Sequence, residues 1–157
     1  MKNLGAALAL ISACIGVACG ASRSRTGNLD EARLVSSTVT FTTLDDGKDA
    51  KSAVTVQLLT DRNELVAEVR SSGTEFDDHT TAAPLALSVT GPFDPDDVQN
   101  SRLRLQLTPD GRDTWSFDVR LALGFSDNTQ HSFGWSGVVM DERNAERTLG
   151  LAGARIK

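Results

Sequence analysis

The chain has 157 residues, with 16 Lys and Arg against 21 Asp and Glu, and a net charge of −5. That acidic balance argues against nucleic acid as a partner, because neutralising phosphates needs clustered Lys and Arg. The length suits one domain able to bury a real core.

The first twenty residues stand apart. Lys2 leads an almost uncharged apolar run from Leu4 to Val17, which ends at Ala18-Cys19-Gly20 and gives way to Ser22, Arg23, Ser24 and Arg25. This is the layout of a secretory signal peptide. A run of about 14 residues containing Gly5, Ser12 and Gly16 falls short of the roughly 20 needed to span a bilayer. The segment resembles a bacterial lipoprotein signal. That resemblance implies cleavage before a cysteine, which is then acylated. Ile11-Ser12-Ala13-Cys14 fits the cleavage motif better by residue type, and Gly16-Val17-Ala18-Cys19 fits it better by context. Cleavage at Cys14 would leave a short leader core, an apolar segment in place of a polar tether, and Cys19 as an odd thiol. Residues 1–18 are therefore expected to be a signal peptide, with Cys19 as the lipidation site. Ordinary cleavage without a lipid is the remaining alternative. Residues 19–32 then form a lipid-anchored tether, rich in Ser, Arg, Gly and Asn and free of periodicity. Gly20 after the cysteine, rather than Asp, leans towards an outer membrane if the organism has one. Only one cysteine survives cleavage, so no disulfide staples the mature domain, and removing Lys2 makes it one charge more acidic.

Residues 33–157 form the domain. From Leu34 onward apolar residues recur every second position, the period of a half-buried strand. Val39 and Phe41 alternate with threonines. Val54, Val56 and Leu58 follow, then Leu65, Ala67 and Val69. Leu85, Leu87 and Val89 form a fourth set, and Leu103, Leu105 and Leu107 a fifth. The most regular run is Trp115, Phe117, Val119, Leu121 and Leu123. Phe133, Trp135 and Val139 suggest a seventh strand on one face, and Leu149 and Leu151 an eighth. Asp46-Gly47, Ser72-Gly73, Gly91-Pro92, Pro109-Asp110-Gly111 and Ser126-Asp127-Asn128 supply the turns. Burial on one side argues for antiparallel pairing. Seven or eight short strands without a helical stretch predict an all-β antiparallel sandwich, with a closed barrel as the alternative.

Asp46-Gly47-Lys48-Asp49-Ala50 runs into Ala53-Val54-Thr55-Val56-Gln57-Leu58, and Asp113-Thr114-Trp115-Ser116-Phe117-Asp118-Val119-Arg120 comes late. This order resembles a PLAT (lipoxygenase homology) domain over residues 36–125. The resemblance implies a β-sandwich with a buried tryptophan. The chain departs from the family at Lys51-Ser52, where a Gly-Thr-Asp signature is usual.

No motif for catalysis emerges, and no catalytic residue is assigned. Gly134-Trp135-Ser136-Gly137 is one residue short of a nucleophile elbow, and His79 and His131 lie in no metal-binding motif. Acidic loops are the sharper signal. In a simple up-and-down path the loops after alternate strands share one end. They would bring together Asp45, Asp46 and Asp49, then Glu75, Asp77 and Asp78, then Asp110 and Asp113, then Asp141 and Glu142. Asp45, Asp49, Asp77 and Asp78 are the candidate ligands for Ca²⁺, which takes six to eight oxygens. Turn chemistry explains the same residues without a metal, and the expectation is no cofactor. Trp115 reads as core. Trp135 reads as core or, less simply, as a stacking platform. Phe76 and Phe93 lie in loops, where packing on the domain's own edge is expected.

The function expected is a lipid-anchored cell-envelope protein with a non-enzymatic β-sandwich binding or structural module. Its partners would be the membrane, through the anchor, and an envelope protein or glycan. The alternatives are a Ca²⁺-dependent lipid or glycan binder and an envelope hydrolase.

Overall fold

The computed structural model describes residues 31–156. The signal peptide, Cys19 and nearly all of the tether lie outside them. Among the described residues no helix is long and apolar enough to cross a membrane.

Ten antiparallel strands make two five-stranded sheets. The first contains β1 (Leu34–Thr43), β4 (Leu85–Ala86), β7 (Thr114–Phe125), β8 (Gln130–Asp141) and β10 (Arg155–Ile156), in the order β10-β8-β7-β1-β4. The second contains β2 (Ala53–Leu59), β3 (Leu65–Ser71), β5 (Ser88–Val89), β6 (Arg102–Thr108) and β9 (Glu146–Gly150), in the order β5-β3-β2-β6-β9. Both sheets are open, so the domain is a sandwich and not a barrel. Strands cross between sheets rather than running up and down. Except at β4–β5 and β9–β10, successive strands still reverse direction, so the long loops divide between the two ends as expected.

Alternation decides what is buried. Val39, Phe41, Trp115, Phe117, Leu121 and Leu123 face inward from the first sheet and meet Val54, Val56, Leu58, Leu103 and Leu105 from the second. Trp115 is fully buried, with Phe117 at 3.9 Å, Phe41 at 4.8 Å and Phe76 at 5.3 Å between ring centroids. Its indole Nε1 donates to Thr43 Oγ1 at 3.3 Å. A buried polar atom needs such a partner. The loop phenylalanines Phe76 and Phe93 both fold back into this core.

Three details differ from the sequence expectation. The fourth apolar set does not form one strand. Residues 85–86 pair with β1 and residues 88–89 with β3, so the chain changes sheet at buried Leu87, whose amide bonds Ser37 O at 2.8 Å. A short helix, α1 (Pro95–Gln99), interrupts the strands. Asp94 caps it and Asp97 returns the bond, a reciprocal capping box that satisfies the amides opening the helix. Proline follows the cap, where its missing N–H costs nothing.

The third difference lies in β8. Phe133 and Trp135 pair with Leu121 and Val119, Phe133 buried in the core and Trp135 half-buried against it and lining a surface cleft, but Val139 does not follow them. The register shifts opposite Asp118, and Gly137 has a φ of +67°. This bulge inserts one residue and inverts the faces after it. Val138 and Met140 are therefore buried, while Val139 is 43 % exposed.

Candidate functional site

The four acidic loops do meet at one end. Lys48 and Phe76 exchange two backbone hydrogen bonds of 3.0 Å between the β1–β2 and β3–β4 loops. Ser52 Oγ accepts from Asp110 N at 2.9 Å, and Ser116 N donates to Asp46 O at 2.9 Å. Asp113 and Glu142 line one shallow cleft there. Gly47 is required for this closeness. A Cβ on it would stand 2.6 Å from Phe76 O and 2.8 Å from Asp78 Oδ1.

The carboxylates themselves do not converge. Asp45, Asp49, Asp77 and Asp78 are all exposed. Asp45 Oδ1 lies 3.9 Å from His79 Nε2, with both side chains largely in solvent. Among the described residues no group of three or more His, Cys, Asp or Glu is placed to hold a metal ion.

The cation buried at this end is a lysine. The Lys48 side chain is 1 % exposed. Its ammonium donates to Asp49 O at 2.9 Å, Ser52 O at 2.7 Å and Thr74 O at 2.5 Å, which uses all three of its protons. The ring of Phe76 lies 4.9 Å away. Burial lowers its pKa, opposed by Asp113, Asp49 and Glu75. Asp113 is itself buried, and its Oδ2 accepts no hydrogen bond among the described residues. Lys48 thus ties two loops together as a fixed internal charge.

The two histidines lie apart. His79 is in the acidic end. His131 is near the opposite end, against the Phe125 ring at 5.1 Å, and its pKa is lowered by burial and then by Arg155. Neither histidine has a hydroxyl or carboxylate within hydrogen-bonding distance among the described residues, so no nucleophile–base pair is formed there.

The outer faces of the two sheets differ sharply. The second sheet carries long side chains bonded to one another. Arg104 Nε donates to Gln57 Oε1 at 3.0 Å, Gln57 Nε2 to Glu68 Oε2 at 3.2 Å, and Gln106 Nε2 to Glu146 Oε2 at 3.0 Å. The first sheet presents Thr40 and Thr42 from β1, Gly134 and Ser136 from β8, and between them Asp118 and Arg120 from β7. These residues line a cleft of about 440 Å³, closed at its sides by Thr81 and Ile156. Gly134 keeps its floor low, since a Cβ there would meet Ile156 Cδ1 at 2.6 Å.

The bulge that exposes Val139 also fixes Asp118. The amide of Gly137 donates to Asp118 Oδ1 at 2.8 Å, and the second carboxylate oxygen has no hydrogen-bond partner among the described residues. Arg120 makes no hydrogen bond or ion pair with any described residue. The ion pairs among the described residues are Lys51–Asp110 and His79–Asp45, so these neighbouring opposite charges do not neutralise each other. Sequence reading missed the cleft, because Asp118 and Arg120 looked like the ordinary wet side of a strand. Only the glycines at 134 and 137 hinted at a bulge or close approach.

The molecule is thus an antiparallel β-sandwich with an open polar cleft on one sheet. Scanned against known protein families and curated proteins, the chain matches none.

Proposed function

We propose that this chain is a cell-envelope lipoprotein, acylated at Cys19, whose sandwich is a non-enzymatic binding module working through the cleft of the first sheet. The leader sequence supports the location. The observation that carries the binding role is the pair Asp118 and Arg120, held side by side in a cleft yet unpaired. Asp118 is half-buried and Arg120 exposed, so both charges remain open to a ligand. On the second sheet's outer face the long side chains bond one another instead. A sandwich of two antiparallel sheets is also what the PLAT resemblance implies.

Two measurements test this. A fatty-acid analogue should label the wild type and not Cys19→Ala, whereas loss of label in Cys14→Ala alone would move the cleavage site. The unacylated Cys19→Ala protein should still sediment with isolated envelope fragments, through the cleft. Thr40→Trp, which fills the cleft from an outward position, should weaken that by about tenfold or more at unchanged melting temperature. Equal sedimentation of the two proteins would remove the cleft from the binding role.

A further inference from the structure

We infer that the cleft recognises an α-amino-acid zwitterion, either a free amino acid or an amino-acid centre left unblocked on an envelope peptide. The inference rests on the reading of the cleft as the binding surface. Asp118 and Arg120 alternate with inward-facing Val119 on one strand, so their backbone positions are about 7 Å apart. The Gly137 amide holds the Asp118 carboxylate from the β8 side, and the carboxylate forms no ion pair with the Arg120 guanidinium. A ligand with only one sign of charge would satisfy one of these groups and be repelled by the other. An α-ammonium and an α-carboxylate sit on one carbon. One ligand thus offers a charged donor to Asp118 and a charged acceptor to Arg120 at once. The ammonium would donate to the free oxygen of Asp118. The carboxylate would accept from Arg120, whose planar donors suit that group.

The rest of the cleft fits the same ligand. The ammonium has further protons to place, and Thr42 and Thr81 stand at the Asp118 end with their hydroxyls 3.0 Å apart. Ile156 is 38 % exposed and forms the apolar wall that an aliphatic side chain would cover. The carboxylate is held before binding, because the bulge amide already orients it, and preorganisation reduces what binding must order.

The test is a nuclear magnetic resonance titration of the purified full-length protein with leucine, N-acetyl-leucine, leucinamide and glucose. Leucine should shift the amides of Thr42, Asp118, Arg120 and Gly134 and saturate at on the order of 1–10 mM. Blocking either charged end should weaken binding by about tenfold or more, the scale of a lost charge-assisted hydrogen bond. Asp118→Asn and Arg120→Gln should each do the same, and both change exposed-face residues that leave the core intact. Nε-acetyl-lysine separates the sources. It keeps both α-charges and carries the side-chain amide of a branched peptide, so binding tighter than leucine assigns a peptide-borne centre, and leucine binding with none from Nε-acetyl-lysine assigns a free amino acid. The inference is overturned if glucose or the blocked derivatives bind as well as leucine, if the shifts map elsewhere, or if leucine gives none. Should leucine fail while Thr40→Trp still abolishes envelope binding, the ligand class falls and the binding module stands.

Discussion

Trp115 and Lys48 are two buried side chains of opposite character, and both lie where the loops of the acidic end meet the core. Trp115 touches Phe41, Phe76 and Phe117, three rings from three separate parts of the chain. Truncating it to Ala leaves a large void that the two sheets cannot close, so the expected loss is about 3–5 kcal/mol. Urea denaturation measures it, and a loss below about 1 kcal/mol would contradict the packing described. Lys48→Met should cost about 3 kcal/mol, because three carbonyls lose their donor and Asp113 loses its nearby cation. Its pH dependence has a definite sign. The folded pKa lies below 10.5, so the unfolded chain holds the proton to higher pH. Wild type should gain stability relative to Lys48→Met as pH rises towards that value. Parallel pH profiles for the two proteins would show that Lys48 is not titrating differently in the fold. Trp115 was legible in the sequence, since its strand alternates without a break. Lys48 was not. A lysine among Asp and Gly reads as a solvated turn residue, and nothing local announces three carbonyls brought from two loops.

At the level of elements, period-two spacing identified the long strands and failed wherever backbone geometry intervened. The faces of β8 were readable as far as Trp135. Beyond it one inserted residue at Gly137 turned Val139 outward and Met140 inward, an inversion that side-chain type alone does not signal. The bulge is also what holds Asp118, so it joins strand geometry to the binding cleft. Gly137→Ala should cost roughly 1–2 kcal/mol, because a Cβ disfavours the positive φ. It should also alter the Asp118 amide environment in the spectrum, whereas an unchanged stability would mean that the bulge tolerates a side chain. Helix α1 was not expected: Asp94-Pro95 is an N-cap followed by proline, but five residues are too few for any periodicity. Removing the cap in Asp94→Ala should cost about 1 kcal/mol in the same urea assay. No change would show that the helix is held by Val98 packing alone.

For the whole molecule, strand direction governs where charge collects. The convergence of the acidic loops followed from alternating directions and survived the exchange of strands between sheets. What sequence could not give was the placement of the carboxylates within those loops: Asp45, Asp49, Asp77 and Asp78 stand in water, while Asp113 is buried near Lys48. The opposite end contains His131, whose folded pKa lies below 6.5. In the window between these values the unfolded state binds more protons, so this group's contribution to stability falls as pH drops. The melting temperature of wild type should therefore decline more steeply than that of His131→Gln from about pH 7 to about pH 5. Identical slopes would refute the shift. That same end receives the chain, since Arg33 N bonds Ser126 Oγ and Leu34 N bonds Phe93 O. The twelve residues of β7 separate it from the most acidic loops by about 35 Å, several times the distance over which physiological salt screens charge. If Cys19 anchors the chain as proposed, the attachment point lies at one pole and the four acidic loops at the other. An anionic bilayer would repel both, the near pole through Asp61, Asp94, Asp96, Asp97 and Asp127, and so favour a domain standing off the surface, with the cleft on its flank open to whatever diffuses alongside the membrane.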